Sequence, residues 1–278
     1  MSSQNLNFIF FGTPDVASET LDILKEKGYI PKLIVTSPDK PAGRGLEMHE
    51  APVSLWAKEN NIECLKPEKI TPEFINEIKP ENYELSIVVA YGKILPEEII
   101  NKPKLGTINI HYSLLPLYRG ASPLEAALLN GDKETGVSIQ QMEYKLDSGG
   151  ILREEELTID INDSKDKIRK ALIELGANIL CEILPQIQNQ EIIPKSQDEN
   201  LATFCKKIKK EDGEINPEGS AQENWNKYRA FYGWPGIFFF EEKDGKKTRI
   251  KITEATYENS LFIIKKVIRE GKKETIWK

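Results

Sequence analysis

Five stretches early in the chain carry the apolar patterning of strands: "NFIFFG" at 7–12, "PKLIVT" at 31–36, "ELSIVVAYG" at 84–92, "GTINIHYS" at 106–113 and "TGVSIQQM" at 135–142. Such runs predict strands, and the continuous ones predict burial on both faces, as in a parallel sheet. Between them the spacing turns helical. Pro14 opens a predicted helix that Gly28 closes, and a second covers about 53–60. Thr71 caps a third, with Pro72 at its first position, and "ASPLEAALLNG" is a fourth, ended by Asn130-Gly131. After Gly150, "ILREEELTI" alternates as an edge or antiparallel strand does, and a long helix follows over about 164–187. Its apolar positions Ile168, Leu172, Leu175, Ile179 and Ile183 form one stripe, read as core. Beyond a helical patch near 225–231, "GIFFFEE", "TRIKITEA" and "LFIIKKVIRE" are separated by Asp244-Gly245 and Asn259-Ser260, a meander of hairpins. The pattern predicts an α/β domain over 1–190, a linker over 191–205 and a small β-rich domain over 206–278.

Composition narrows the class without naming it. The 278 residues suffice for a large domain and a smaller one, and 39% hydrophobic with 29% charged content is that of a soluble globular protein. "MSSQNLNFIFFG" has neither a basic start nor a long apolar stretch, so no signal peptide is expected, and no run is long enough to span a bilayer. Cys64, Cys181 and Cys205 are odd in number and far apart, which predicts neither a disulfide framework nor a metal site and points to a reducing cytoplasm. The net charge of −6 is unevenly spread: 205–278 carries 17 Lys and Arg against 12 Asp and Glu, the remainder 21 against 32. A basic tail on an acidic body suits a localised polyanion contact, and equally a solvated charged surface.

Only two histidines occur, His49 and His111. Alternation puts Asn109 and His111 on one side of a strand, roughly 6–7 Å apart along the backbone, at the carboxyl end where open α/β sheets bind ligands. An amide and an imidazole aimed at one point can stabilise charge on an oxygen, and the imidazole can move a proton. A merely structural strand-end histidine is the alternative. Asp147, in the turn "KLDSGGIL", can face the same sheet edge, where a carboxylate can fix the imidazole's tautomer or take a proton through water. It can equally be an ordinary turn residue. "SPDKPAGRG" reads as a mobile loop whose Lys40 and Arg44 are either connector residues or phosphate contacts. "FFGTPD" places a glycine at the first strand-to-helix turn but lacks the full dinucleotide fingerprint.

Several stretches taken together, "FFGTPDVA", "SPDKPAGRG", "IVVAYGKILP", "NIHYSLLPLYRGASPL", "GDKETGVSIQQM", "LDSGGIL", "FCKKIKKEDGEI" and "RAFYGWPG", resemble the methionyl-tRNA formyltransferase family in order and spacing. The likeness covers nearly the whole chain. Asn-x-His, Ser-Leu-Leu-Pro and Leu-Asp-x-Gly are shared by enzymes that use 10-formyltetrahydrofolate, whereas "SPDKPAGRG" and "YRGASP" point to the tRNA branch. The resemblance implies a Rossmann-like N-terminal domain with a mostly parallel sheet and a C-terminal barrel of OB type, here short. It places the catalytic trio on Asn109, His111 and Asp147. Folate contacts fall on Ser113, Leu114, Leu115 and Pro116 and on the segment carrying Val89, Ala90, Tyr91, Gly92, Ile94 and Leu95. The tRNA contacts fall on Lys40 and Arg44, and on Lys206, Lys207, Lys209 and Lys210. The implied reaction moves the formyl group of 10-formyltetrahydrofolate to the amino group of methionine on initiator tRNA, in a monomer that uses no metal and no membrane.

Departures from the family pattern carry expectations of their own. Leu46-Glu47 follows "PAGRG" where the family usually continues with lysines, which lowers the expected loop attraction by about one or two counterion-release units. Val16 stands where a bulky aromatic is frequent, so looser methionine selectivity is expected. The runner-up function is formyl transfer to a nucleotide-linked amino sugar. A formyl-folate hydrolase, a catalytically silent tRNA-binding module and a nicotinamide dehydrogenase fit fewer residues.

Overall fold

The computed structural model describes residues 6–42, 47–243 and 245–278. They form two compact units: 1–119 with 136–156 and 171–203, and 120–135 with 157–170 and 204–278. The units are not contiguous in sequence, unlike the expected bounds at 190 and 205. The stretch 191–203 belongs to the first unit and 120–135 to the second.

In chain order the first part runs β1 (Phe8–Gly12), α1 (Asp15–Glu26), β2 (Leu33–Val35), β3 (Lys40–Ala42), β4 (Glu47–His49), α2 (Pro52–Glu59), β5 (Cys64–Leu65) and α3 (Pro72–Ile78). It continues through β6 (Leu85–Val89), α4 (Glu97–Asn101), β7 (Thr107–His111), β8 (Arg119–Gly120), α5 (Pro123–Asn130), β9 (Glu134–Gln141), β10 (Ile151–Thr158) and α6 (Lys165–Gln188). The sheet order is β10-β9-β7-β6-β1-β2-β5. Pairings from β5 across to β7 are parallel, and β9 joins β7 antiparallel. The chain lays strands outward from β1 to β5, then returns to the other side of β1, so the switch point lies between β1 and β6.

Local chemistry explains the elements. Every residue of β1 and β6 is buried, as their unbroken apolar sequence requires. Thr71 caps α3 by accepting the Phe74 amide at 3.3 Å. Gly12 is a packing glycine: a Cβ there would lie 2.6 Å from Phe10 Cε1 and 2.7 Å from Ala17 Cβ. The next residue, Thr13, ties three segments together, its hydroxyl 3.1 Å from the Tyr91 carbonyl while accepting the Ser37 amide at 3.2 Å. The stretch expected to be a mobile loop is corrected at its flanks, where Lys40 pairs with His49 and Pro41 with Met48. Elements without a usable sequence signal include the two-residue β5, the five-residue α4 and the last strand of the tail.

The second unit holds α5 against α7 (Ala221–Ala230), with β11 (Phe204–Cys205) before it. Its sheet is a four-stranded antiparallel meander of β12 (Ile237–Lys243), β13 (Lys246–Glu258), β14 (Leu261–Arg269) and β15 (Glu274–Ile276). One cross-strand row, Ile237, Ile252 and Val267, is buried throughout. Trp225 stacks between Tyr228 and Tyr257 and donates its indole N–H to the Ile161 carbonyl at 2.8 Å.

Candidate active site

Register decides what faces what. A single row across the sheet runs Val35, Phe11, Val88, Asn109, Gln140, and one row further along His111 pairs with Ser138. The face is apolar under α3 and α4, where Phe11, Val35, Val88, Tyr91, Leu95 and Ile99 form one cluster, and turns polar at β7 and β9. The opposite face at these strands stays apolar: Ile110 and Val137 meet Gly176 of α6, whose added Cβ would sit 3.0 and 3.2 Å from their methyls. Asn109, His111, Ser138 and Gln140 therefore form a polar patch on one side of the sheet.

The structure brings the three expected catalytic residues to this patch. His111 is buried, and its Nε2 lies 3.0 Å from the Tyr118 carbonyl oxygen. A carbonyl only accepts, so Nε2 carries the proton there and Nδ1 is the nitrogen left for chemistry. Nδ1 is 3.8 Å from Asp147 Oδ2, too far for a direct hydrogen bond. The other carboxylate oxygen accepts from Gln140 Nε2 at 2.9 Å. Asn109 is half-buried, and its amide has no hydrogen-bond partner among the described residues. Asp147 lies in left-handed backbone, φ 47°, within the loop 142–150 that folds back over β9. The fold-back requires Gly149, where a Cβ would fall 1.7 Å from the Gln141 carbonyl oxygen.

The neighbouring turn is tied down by side chains. Ser113 donates to the Leu117 carbonyl at 2.6 Å, and Ser138 Oγ accepts the Leu115 amide at 2.9 Å and lies 2.7 Å from the Ser113 carbonyl. Ser113 and Leu115 are buried, Leu114 and Pro116 half-buried, and Leu115–Pro116 is a cis bond. On the other strand end, Val89, Tyr91 and Leu95 are buried in the apolar cluster or beside it, while Ala90 and Gly92 are exposed in left-handed backbone. Ile94 is 80% exposed, an apolar side chain standing in solvent beside the sheet's carboxyl edge. Burial raises the Tyr91 phenol above its ordinary value, and burial lowers the Lys93 ammonium.

The expected tRNA contacts fall in both units. Lys40 is exposed on β3, Arg44 lies outside the described residues, and Lys206, Lys207, Lys209 and Lys210 are exposed in the second unit. Two adjoining cavities of about 340 and 390 Å³ open near the amino end of β7, sharing Asn101, Gln141, Met142 and Pro194. Neither is lined by Asn109, His111 or Asp147. Sequence reasoning missed Gln140 and Ser138. Their signal was the alternation Val137-Ser138-Ile139-Gln140, two buried polar residues in a strand whose other face is apolar.

Residues 4–184 match the formyl transferase family and residues 207–275 match the formyl transferase C-terminal domain. Relatives include methionyl-tRNA formyltransferases from Caldicellulosiruptor saccharolyticus, 42% identical over 84% of this chain and 75% of that protein, and from a Sulfurihydrogenibium species, 41% identical over 96% and 87%. Among solved structures, the methionyl-tRNA formyltransferase from Clostridium thermocellum aligns with a TM-score of 0.62 at 20% identity, over 95% of this chain and 98% of that one. An N-formyltransferase from Helicobacter canadensis, in complex with folinic acid and dTDP-3-aminofucose, aligns at 0.66 and 19%, over 91% and 89%, and shares the fold. A likeness at about two residues in five along almost the full length, with both domain families in order, makes this chain a member of the methionyl-tRNA formyltransferase family.

Proposed function

We propose that this chain moves the formyl group of 10-formyltetrahydrofolate to the α-amino group of methionine carried by initiator tRNA. The observation that carries the reading is the unpartnered Asn109 amide beside a His111 whose only uncommitted nitrogen looks toward Asp147. A neutral amine attacks the formyl carbon, the C=O electrons move onto oxygen, and the C–N bond to the donor then breaks. Asn109 donates to that oxygen as it gains charge, an interaction stronger in the transition state than in the ground state. His111 Nδ1 and Asp147 Oδ2 are spaced so that one atom can lie within about 3 Å of both. The attacking nitrogen or a water placed there gives up its proton to this pair, and the proton returns to the departing donor nitrogen.

The folate ring system is assigned to the sheet edge between the 89–95 segment and the 113–116 turn. Support comes from the exposed Ile94, which a flat ring would cover, and from the side-chain hydrogen bonds that hold the turn. The acceptor stem is assigned to Lys40 and Arg44, and the tRNA body to Lys206, Lys207, Lys209 and Lys210. Phosphates are natural partners for such exposed cations. The deciding experiment is transfer of labelled formyl to methionyl-tRNA by the purified chain, run beside nucleotide-linked amino sugars. Label on methionine is the expected result. Label on the amino sugar alone would replace this acceptor with the runner-up.

A further inference from the structure

Resting on that reading of the site, we propose that Gln197 is a positioning residue for Asp147, held in its working orientation by the buried Arg119. Arg119 is completely buried, and among the described residues no buried carboxylate meets it. Its Nε and Nη2 converge on Gln197 Oε1 at 3.1 and 2.7 Å, and Nη2 also reaches Glu199 Oε1 at 2.7 Å, on a side chain that is more than half exposed. Nη1 has no partner among the described residues. Burying a guanidinium so poorly compensated is costly.

What the arrangement achieves is orientation. A guanidinium has only donors, so it must face the amide oxygen of Gln197 and thereby turns the NH2 group the other way. That group donates to two carbonyls of the Asp147 loop, Asp147 O at 3.0 Å and Gly149 O at 2.7 Å. Asp147 itself occupies left-handed backbone, which an aspartate tolerates better than most side chains and which the loop's hydrogen bonds hold in place. With the backbone pinned by Gln197 and one carboxylate oxygen pinned by Gln140, the second oxygen is aimed at His111 Nδ1. Lys145 of the same loop pairs with Glu199 at 2.5 Å, a second tether from the same short segment.

The test compares wild type, Gln197→Glu and Gln197→Met, each also in an Asp147→Asn background, in steady-state and single-turnover formylation of methionyl-tRNA by the full chain. Gln197→Glu keeps an acceptor for Arg119 and has no proton for the loop carbonyls; Gln197→Met loses both. Both are expected to lower kcat by about 10–100-fold, the scale of a misplaced catalytic group, with KM for donor and tRNA within about threefold. In the Asp147→Asn background either change is expected to alter the rate by less than about twofold, since nothing remains for Gln197 to act through. Thermal midpoints are read alongside, and Gln197→Glu carries the test if Gln197→Met fails to fold. Wild-type turnover in Gln197→Glu, a change confined to KM, or a full loss persisting without the Asp147 carboxylate would each overturn the proposal. An inactive wild type overturns the reaction assignment and this proposal with it, whereas an active wild type with an unaffected Gln197→Glu overturns this proposal alone.

Discussion

A backbone carbonyl decides which nitrogen of His111 stays uncommitted. Because Tyr118 O takes Nε2–H, chemistry is left to Nδ1, and the Asp147 carboxylate stands opposite that atom at 3.8 Å. Asn109→Ala, His111→Ala and Asp147→Ala are each expected to slow single-turnover transfer by about 10²–10³-fold, the usual cost of a lost oxyanion donor or proton partner. Near-native rates in all three would remove the site. Gly149→Ala is expected to displace the loop, since its Cβ would overlap the Gln141 carbonyl. Loss of activity with a thermal midpoint lowered by overpacking is the outcome to look for. Strand alternation put Asn109 and His111 on one side of β7, and only the family resemblance gave them an expected catalytic role. Ser138 and Gln140 left the same alternation in β9, whereas the hydrogen bonds of Gln140 and Gln197 to Asp147 span 7 and 50 residues of sequence and leave no local signal.

Elements hold this patch by contacts that cost stability when broken. Gly12→Ala at the end of β1 forces a methyl against Phe10, Ala17 and the Val89 carbonyl, and about 1–3 kcal/mol of destabilisation is expected in denaturant unfolding. The glycine that hinted at a phosphate turn is thus explained by packing. Thr71→Ala removes the α3 cap and is expected to cost about 1 kcal/mol by the same measurement. The segment carrying Glu199 adds a pH dependence. Hydrogen bonds from Arg119, then Lys145, hold its carboxyl down to about 2 from an ordinary value of 4.5. A carboxyl depressed on folding contributes stability that is fully present above its unfolded value and is lost as pH falls through the folded one. The thermal midpoint should therefore fall between about pH 4.5 and pH 2, and Glu199→Gln should flatten that part of the curve. A curve of unchanged slope would deny the tether any role.

At the scale of the molecule, the polar patch and the exposed 206–210 lysines fall in different units. The polar patch belongs wholly to the first, whereas Lys206, Lys207, Lys209 and Lys210 are exposed in the second. Replacing Lys206 and Lys207 by Gln should weaken tRNA binding and make the slope of log K against log salt shallower by about one to two. An unchanged slope would move the tRNA contact elsewhere. Residues 120–135 and 157–170 pack with the tail, and contiguous hydrophobic pattern carries no information about such exchanges.

Sequence alone determined the alternation of buried strands with helices, the side of β7 on which Asn109 and His111 stand, and, through resemblance, the family. Those are local or pairwise properties, written in the period of the apolar residues and in short motifs. Only the tertiary structure decided that β9 lies antiparallel beside β7, that Tyr118 O claims one nitrogen of the imidazole, and that a segment read as linker holds the Asp147 loop. Each of these is a contact between residues distant along the chain. Hydrogen bonds choose their partners by distance and direction in space, and neither is encoded in the spacing of the residues that make them.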